Sequence, residues 1–252
     1  MTPFPSISAL LVQARTETDM LQQELTCFLE RTRLGEGRID THNVLTEHLD
    51  ASRLHAYHVV FIGGSGEFSA ADNHPWMQDL LSFVRHVVNT GMPLFGSCWG
   101  HQVIARALGG RVEHDPLRAE MGCLPVQLTS AGLSDTLFGS FPPTFLANMG
   151  HHDRVTILPP GAVELARSAT QPFQAFRMEG RPVYGTQFHS ELDAAREKER
   201  LIRYQKFYMD EMPDATALEG VIAALAETTE VDHLLFDFLR TFAGHTRPWE
   251  GL

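Results

Sequence analysis

The part of the chain before Gly110 alternates short apolar runs with longer amphipathic runs, and no other feature restricts the fold as strongly. Short apolar runs bounded by turn residues predict strands, whereas apolar positions that recur every three or four residues predict helices. Strands that alternate with helices form a parallel sheet with helices on its faces. The predicted strands are Ser8–Val12, Thr41–Leu45, His58–Ile62 and Pro93–Phe95, and the predicted helices are Thr16–Arg31, Pro75–Thr90 and His101–Leu108.

After Gly110 the pattern changes to shorter strands separated by turn residues, which we expect to continue the same sheet in antiparallel or mixed fashion. Helical patterns return from Asp193 onward, with a break at Pro213. We therefore expect one domain over residues 1–192 and a C-terminal helical extension over residues 193–252 packed on it. The predicted elements here are strands Cys123–Leu128, Thr144–Met149, Ala162–Ser168, Ala175–Met178 and Pro182–Phe188, then helices Thr216–Ala226 and Val231–Phe242.

Charge and composition exclude several classes of protein. The chain has 252 residues and a formal net charge of -11, so a nucleic acid backbone would be repelled. No run approaches the roughly 20 apolar residues of a membrane helix, and the first residues lack the features of a signal peptide. Three cysteines are too few for a disulfide scaffold. We expect a cytoplasmic protein that binds neither nucleic acid nor membranes.

The segment MPLFGSCWGHQVIARALGG carries the strongest sign of chemistry, because Cys98 stands between a predicted strand and a predicted helix. Gly96 and Gly100 flank it in a G-x-C-x-G pattern, the cysteine form of a nucleophile elbow. Such a turn is strained and brings backbones close together, which favours glycine. The start of a helix also favours the reactive thiolate. The alternative is a buried core cysteine, our interpretation of Cys27 and Cys123; the flanking strand and helix favour a nucleophile at Cys98.

A thiol nucleophile needs a base, and the base needs a group that fixes its tautomer. Of thirteen histidines, only His189 has a suitable setting, since RPVYGTQFHSE ends a strand and places Glu191 two residues later. In an extended segment these two side chains point to the same side. The alternative is an ordinary histidine at a strand end, with Glu191 capping the helix that begins near Asp193.

A glycine-rich loop, Gly63-Gly64-Ser65-Gly66, follows the strand His58–Ile62. Its backbone N–H groups, together with the N–H of Trp99, could stabilise a tetrahedral oxyanion. Dinucleotide sites also begin with a glycine-rich turn, but the third glycine and the acidic residue about 20 positions later are missing here. A plain turn is the remaining alternative.

Taken in order, the segments GGSGEFS, GSCWGHQVIARALGG, MGHHDRV and GTQFHSE resemble the class I glutamine amidotransferase family. The resemblance covers roughly Ser8 to Glu191 and is strongest to the glutaminase domains of GMP synthetases and similar stand-alone proteins. It implies a flavodoxin-like α/β fold, with an open, mostly parallel sheet, helices on both faces and a smaller antiparallel extension; the C-terminal helical tail follows from the residue pattern after Asp193. It further implies that Cys98 attacks the glutamine amide, that His189 moves the proton and that Glu191 orients His189. A thioester would then be hydrolysed to glutamate, after release of ammonia, without metal or cofactor.

The same resemblance suggests further site residues. Gly64 and Trp99 fall where the family supplies oxyanion N–H groups, and Gly63 and Gln102 fall where it holds the bound glutamine. His151 and Asp153 resemble residues near the α-amino and α-carboxylate groups of glutamine. Solvated loop residues are an equally good interpretation of that pair, whereas a metal site is a weaker one, because adjacent residues on a strand point to opposite faces.

The sequence leaves several functions open. We expect no synthetase domain after Glu191, so ammonia would pass to a separate synthetase chain; the helical tail could also form a homodimer contact. A stand-alone γ-glutamyl peptidase would need the same triad and a wider pocket for the leaving group. A silent regulatory protein is disfavoured because Cys98, His189 and Glu191 are all present. Cysteine-bearing flavodoxin-like chaperones or proteases lack the late His-x-Glu pattern.

Overall fold

The computed structural model of the protein describes residue 4, residues 6–207 and residues 215–244. The break predicted at Pro213 lies outside these residues, as does the end of the helical pattern that precedes it. Within the described chain, eleven strands and seven α-helices follow one another in the predicted α/β order.

A nine-stranded open sheet forms the centre of the molecule, in the order β2-β1-β3-β4-β11-β10-β9-β6-β7. The first five of these strands are parallel to their neighbours, and the pairs that follow are antiparallel. The predicted fold class is confirmed, including the antiparallel extension of the same sheet. The strands are β1 Ala9–Gln13, β2 Ile39–Asn43, β3 Val59–Ile62, β4 Leu94–Ser97, β5 Arg111–His114, β6 Glu120–Leu128, β7 Thr144–His151, β8 Asp153–Ile157, β9 Ala162–Arg167, β10 Ala175–Met178 and β11 Val183–Thr186.

Strands β5 and β8 form a separate two-stranded antiparallel sheet that the sequence did not predict. Both are short and rich in charged residues, so neither has the apolar run or clean alternation by which a strand is recognised. The pair places His114 opposite Asp153. This small sheet therefore brings one end of each strand to the edge of the large sheet where the candidate site lies.

The helices cover both faces of the large sheet because its central strands are apolar on both sides. Phe61 and Phe95 point to the face covered by α1 and α7, while Val60 and Leu94 point to the face covered by α2 and α3. The helices are α1 Thr18–Thr32, α2 Met77–Thr90, α3 Trp99–Ala107, α4 Ser130–Leu133, α5 Ala194–Arg203, α6 Ala215–Ala223 and α7 Leu234–Phe242.

The C-terminal helices pack on the rest of the molecule through separate apolar contacts. Phe238 of α7 is buried against Phe61 and Phe95, with ring centroids 6.4 and 5.3 Å away. Leu201 of α5 joins a small cluster with Met20 and Tyr204. Helix α5 thus lies against α1, and α7 closes one face of the core. Across the described part of the chain, none of the helices has the length and apolar content needed to cross a bilayer.

Candidate active site

Cys98 occupies the corner between β4 and α3, and its backbone has φ 51° and ψ -104°. A positive φ in a residue other than glycine is strained and typical of a nucleophile elbow. The flanking glycines are required by space. A Cβ on Gly100 would lie 2.2 Å from the carbonyl oxygen of Ile62, and a Cβ on Gly96 would lie 2.4 Å from the carbonyl carbon of Gly100. Strand β4 and helix α3 can meet this closely only without those side chains.

The parallel pairing of β4 with β11 brings the late histidine segment beside the cysteine. Ser97 is in register with Thr186, and the Cys98 N–H donates to the Thr186 carbonyl over 2.7 Å. The next residue, Gln187, places its Nε2 3.8 Å from the Cys98 sulfur. Residues distant in sequence therefore meet at the carboxyl edge of the sheet, where open α/β sheets bind their ligands.

His189 and Glu191 form a buried pair at this edge, with Nδ1 of the imidazole 2.9 Å from Oε1 of the carboxylate. Ser97 donates its hydroxyl to Glu191 Oε2 over 2.5 Å, and Arg200 Nη1 donates to Oε1 over 3.2 Å. The carboxylate is therefore held from three directions. Asp193, rather than Glu191, caps α5 by accepting the N–H of Arg196.

The electrostatic setting of this pair favours a charged imidazole beside a charged carboxylate. Burial would raise the pKa of Glu191, but His189, Arg200 and Ser97 outweigh it and hold that pKa well below the usual range. Burial would likewise lower the pKa of His189, yet Glu197, Glu191 and Cys98 raise it well above its ordinary value. An imidazolium next to a thiolate is the ion pair that activates cysteine nucleophiles.

A cavity of about 230 Å³ opens in front of Cys98, which is itself only 5% exposed. Trp99, Gln102, His151 and Asp153 line this cavity, so the structure brings these four predicted site residues to the cysteine. Gln102 donates from Nε2 to the Asp153 carbonyl over 2.7 Å and to the Gln187 side chain over 3.0 Å. The Gln102 amide thus holds the wall of the cavity at Asp153 and orients the Gln187 side chain, which lies next to the Cys98 sulfur.

The polar groups of this wall are held by one another. Asp153 accepts the hydroxyl of Ser69, the N–H of Ala70 over 3.1 Å and the ring of His114 over 2.8 Å. His151 contacts the Asp153 carbonyl through Nδ1 at 3.0 Å and the buried Glu120 through Nε2 at 3.3 Å. Among the described residues no set of three His, Cys, Asp or Glu side chains is arranged to hold a metal ion.

The glycine loop after β3 lies beside His189, and its contacts bear on the predicted oxyanion donors. The Gly64 N–H donates to Oε1 of the buried Glu24 over 3.1 Å, so the oxyanion role predicted for it requires that bond to be exchanged. Gly63 is bound through its backbone to Val12 and Gly100 and does not line the cavity of about 230 Å³. Trp99 is the first residue of α3, so its N–H has no acceptor within the helix.

Sequence reasoning missed the charged residues that surround this edge from the helices. Glu24 of α1 is fully buried and bonds to Arg15 over 2.7 Å. From α5 come Glu197 and Arg200, which are 1% and 6% exposed, followed by Tyr204, whose hydroxyl accepts from Arg15 over 3.0 Å. The sequence does contain a sign of this arrangement: positions 197, 200, 201 and 204 are spaced so that they share one face of a helix, which indicates that they point to the same neighbour.

The structural relatives share this architecture. A glutamine amidotransferase from Thermotoga maritima superposes with a TM-score of 0.72 at 21% identity, covering 95% of this chain and 99% of that one. A glutamine amidotransferase from Methylobacillus flagellatus gives 0.72 at 22% identity, with 98% of each chain covered. At such identities the likeness shows the fold alone.

The sequence relatives extend the comparison. The glutamine-hydrolysing GMP synthase of Shewanella frigidimarina is 32% identical over 150 residues, which are 58% of this chain and 27% of that protein. The GMP synthase of Photorhabdus laumondii is 27% identical over 187 residues, 70% of this chain and 34% of that protein. The chain therefore spans only about a quarter to a third of the length of these relatives.

A family model for class I glutamine amidotransferases matches residues 33–208, well over half of the chain, and this match includes helix α5. The family resemblance seen in the motifs is thereby confirmed. The chain belongs to the class I glutamine amidotransferase family.

Proposed function

We propose that the protein hydrolyses the γ-amide of glutamine through a γ-glutamyl thioester on Cys98, releasing ammonia and glutamate. The observation that carries this proposal is the meeting of a strained cysteine corner with a buried His189–Glu191 pair that follows the adjacent parallel strand β11. Family membership supports the same reaction class. The cavity of about 230 Å³ in front of Cys98 gives the side chain of glutamine access to the sulfur.

In the first step, the Cys98 thiolate attacks the amide carbon while His189 carries the proton taken from the thiol. Glu191 holds the imidazole by its Nδ1, which leaves Nε2 to face the reacting atoms. The N–H of Trp99, which has no acceptor within α3, would stabilise the oxyanion. The N–H of Gly64 would join it once released from Glu24.

In the second step, the imidazolium gives its proton to the amide nitrogen, the C–N bond breaks, and ammonia leaves a thioester on Cys98. His189 then takes a proton from water, whose oxygen attacks the thioester and frees glutamate. Both halves use the same base, so one histidine is sufficient for the cycle.

We further propose that the ammonia passes to a separate synthetase chain. The sequence relatives are named GMP synthases, and this chain spans only their smaller part. In that case the chain alone would release glutamate slowly, and adding its synthetase would raise the rate.

The test compares the wild type with Cys98→Ser and Cys123→Ser by measuring glutamate released from glutamine and from γ-glutamyl compounds. Cys123 is a half-buried cysteine on β6, so it is a matched control for the loss of a thiol. We expect Cys98→Ser to lose about 10³-fold or more of the activity, because members of a catalytic unit cannot replace one another. Cys123→Ser should keep it.

Retention of more than about a tenth of the activity in Cys98→Ser would contradict the nucleophile assignment. If the wild type released no glutamate from any compound, with or without a synthetase, the silent regulatory alternative would be favoured instead.

A further inference from the structure

Glu197 of α5 lies on the side of His189 opposite to Glu191. Its Oε2 is 4.0 Å from the imidazole Nε2, whereas Glu191 contacts Nδ1. The side chain is almost completely buried, and Oε2 has no hydrogen-bond partner. A buried carboxylate oxygen without a donor is costly to desolvate, so its presence beside a reacting nitrogen needs an explanation.

Glu197 and His189 both line a second, much smaller cavity of about 20 Å³ beside Cys98. Cys98 lines both this cavity and the one of about 230 Å³, so the two cavities adjoin at this residue. A volume of about 20 Å³ holds roughly one water-sized molecule. The other walls of the small cavity are Arg15, Arg200, Leu201 and Tyr204, together with the loop at Ser65 and Gly66 and with Gly150.

The reaction itself determines which part of the substrate approaches this cavity. The imidazole must give its proton to the nitrogen that leaves, so the leaving nitrogen lies next to Nε2 of His189. Glu197 Oε2 stands 4.0 Å from that same atom. The glutamyl part of the substrate then occupies the larger cavity, and the leaving nitrogen points into the smaller one.

We propose that the small cavity is the leaving-group subsite, that it accepts ammonia but not a substituted amine, and that Glu197 accepts a hydrogen bond from the leaving nitrogen. This proposal rests on the proposed function and narrows its substrate class to unsubstituted γ-amides. When the C–N bond breaks, His189 has supplied the third proton of the departing ammonia. Glu197 keeps its own charge and takes no proton in this step.

The geometry distinguishes a glutaminase from a γ-glutamyl peptidase, because a peptidase must place a whole amino acid beyond the scissile bond. Leu201 and Tyr204 line the small cavity, which has room for roughly one water-sized molecule, and both side chains are nearly inaccessible at 1% and 2% exposure. An amino acid leaving group would have to displace them. Glu197 also packs on β7 at Gly150, where a Cβ would lie 3.0 Å from its Oε1, so the carboxylate has little room to retreat.

The first experiment measures kcat/KM for glutamine, γ-glutamylmethylamide, γ-glutamylethylamide and γ-glutamylalanine, with any required synthetase present. We expect kcat/KM to fall at least about 10-fold for each added carbon, and γ-glutamylalanine to be inert. Glu197→Ala should lower the rate with glutamine and raise the ratio of methylamide to glutamine turnover by about 10-fold. Glu199→Gln, an exposed position on the same helix, should leave both unchanged.

Equal turnover of glutamine and γ-glutamylalanine would overturn the subsite while leaving cysteine hydrolysis of γ-glutamyl bonds intact. An unchanged methylamide ratio in Glu197→Ala would overturn the role of Glu197. Failure of the whole proposed function has a different signature, since no amide would then be hydrolysed.

A second measurement needs no turnover. NMR titration of His189 in the Cys98→Ser background follows the imidazole without the thiol. The charged groups facing the ring there are Glu191 and Glu197, with Arg15 and Arg200 beyond Gly64. Glu197→Gln removes one negative charge, so the titration midpoint should fall by about one pH unit, and Glu199→Gln should not move it. An unchanged midpoint in Glu197→Gln would refute the contact on which the subsite depends.

Discussion

The buried side chain of His101, three residues after Cys98, makes the stability of the protein depend on pH. The side chain has no exposed surface, and its ring lies 4.8 Å from that of Phe176. A Cβ on Gly185 would come within 2.9 Å of its Nδ1, so no room exists for solvent. Burial lowers the pKa of His101 to about 3, from an ordinary value near 6.5.

The sign follows from comparing the folded and unfolded states. Below about pH 6.5 His101 binds a proton in the unfolded chain but not in the folded chain, so the free energy of unfolding decreases as the pH falls toward about 3. Each pH unit in that window costs about 1.4 kcal/mol. Going from pH 8 to pH 4.5 should therefore remove about 3 kcal/mol of unfolding free energy through this one group.

The assay is urea unfolding followed by tryptophan fluorescence at pH 8, 6, 5 and 4.5. His101→Gln stays neutral in both states, so its unfolding free energy should fall about 3 kcal/mol less than that of the wild type over this range. His48→Gln, at a highly exposed histidine, should behave as the wild type. The reasoning is refuted if His101→Gln and the wild type lose the same free energy, whatever their stabilities at pH 8.

Two further substitutions test the corner and the charged cluster. Gly100→Ala should destabilise the fold by about 3 kcal/mol or more, because its Cβ would meet a backbone oxygen. The control Gly220→Ala, in the open interior of α6, should be neutral or slightly stabilising. Thermal unfolding measures the stability of both variants. Arg200→Met should cost about 3 kcal/mol in urea unfolding by removing a buried cation that two buried carboxylates, Glu24 and Glu191, share. The partly exposed Arg203→Met should cost less than about 1 kcal/mol. Equal effects of the two arginine substitutions would contradict the buried cluster.

The parts of the structure that could be predicted are those encoded by short-range patterns. The alternation of apolar and amphipathic runs gave β1, β3 and β4 to within two residues at either end, because these strands are buried on both faces. Strand β2 is displaced by two residues from the prediction, and only one of its five residues is fully buried. Where burial is uneven, the apolar run no longer marks the ends of a strand.

The residues of the candidate site likewise fall into those that a local motif predicts and those that it does not. Cys98, His189 and Glu191 were found because each belongs to a motif in which a few neighbouring residues determine the backbone. Glu24, Glu197 and Arg200 were missed because a charged residue in an amphipathic helix is ordinarily assigned to the solvated face. Here all three face inward: Arg200 pairs with Glu24, and Glu197 lies 4.0 Å from His189, contacts that only the tertiary packing decides.

The pairing of β4 with β11 is independent of most of the chain that forms the wall of the cavity of about 230 Å³. Ser97 and Thr186 are neighbours, so one ladder of hydrogen bonds fixes the points from which Cys98 and the His189 segment leave the sheet. The long connection between these two strands carries three residues of the cavity wall, His114, His151 and Asp153. Insertions or substitutions between α3 and β11 can therefore reshape the wall of the cavity of about 230 Å³ without changing the pairing that brings the His189 segment beside Cys98.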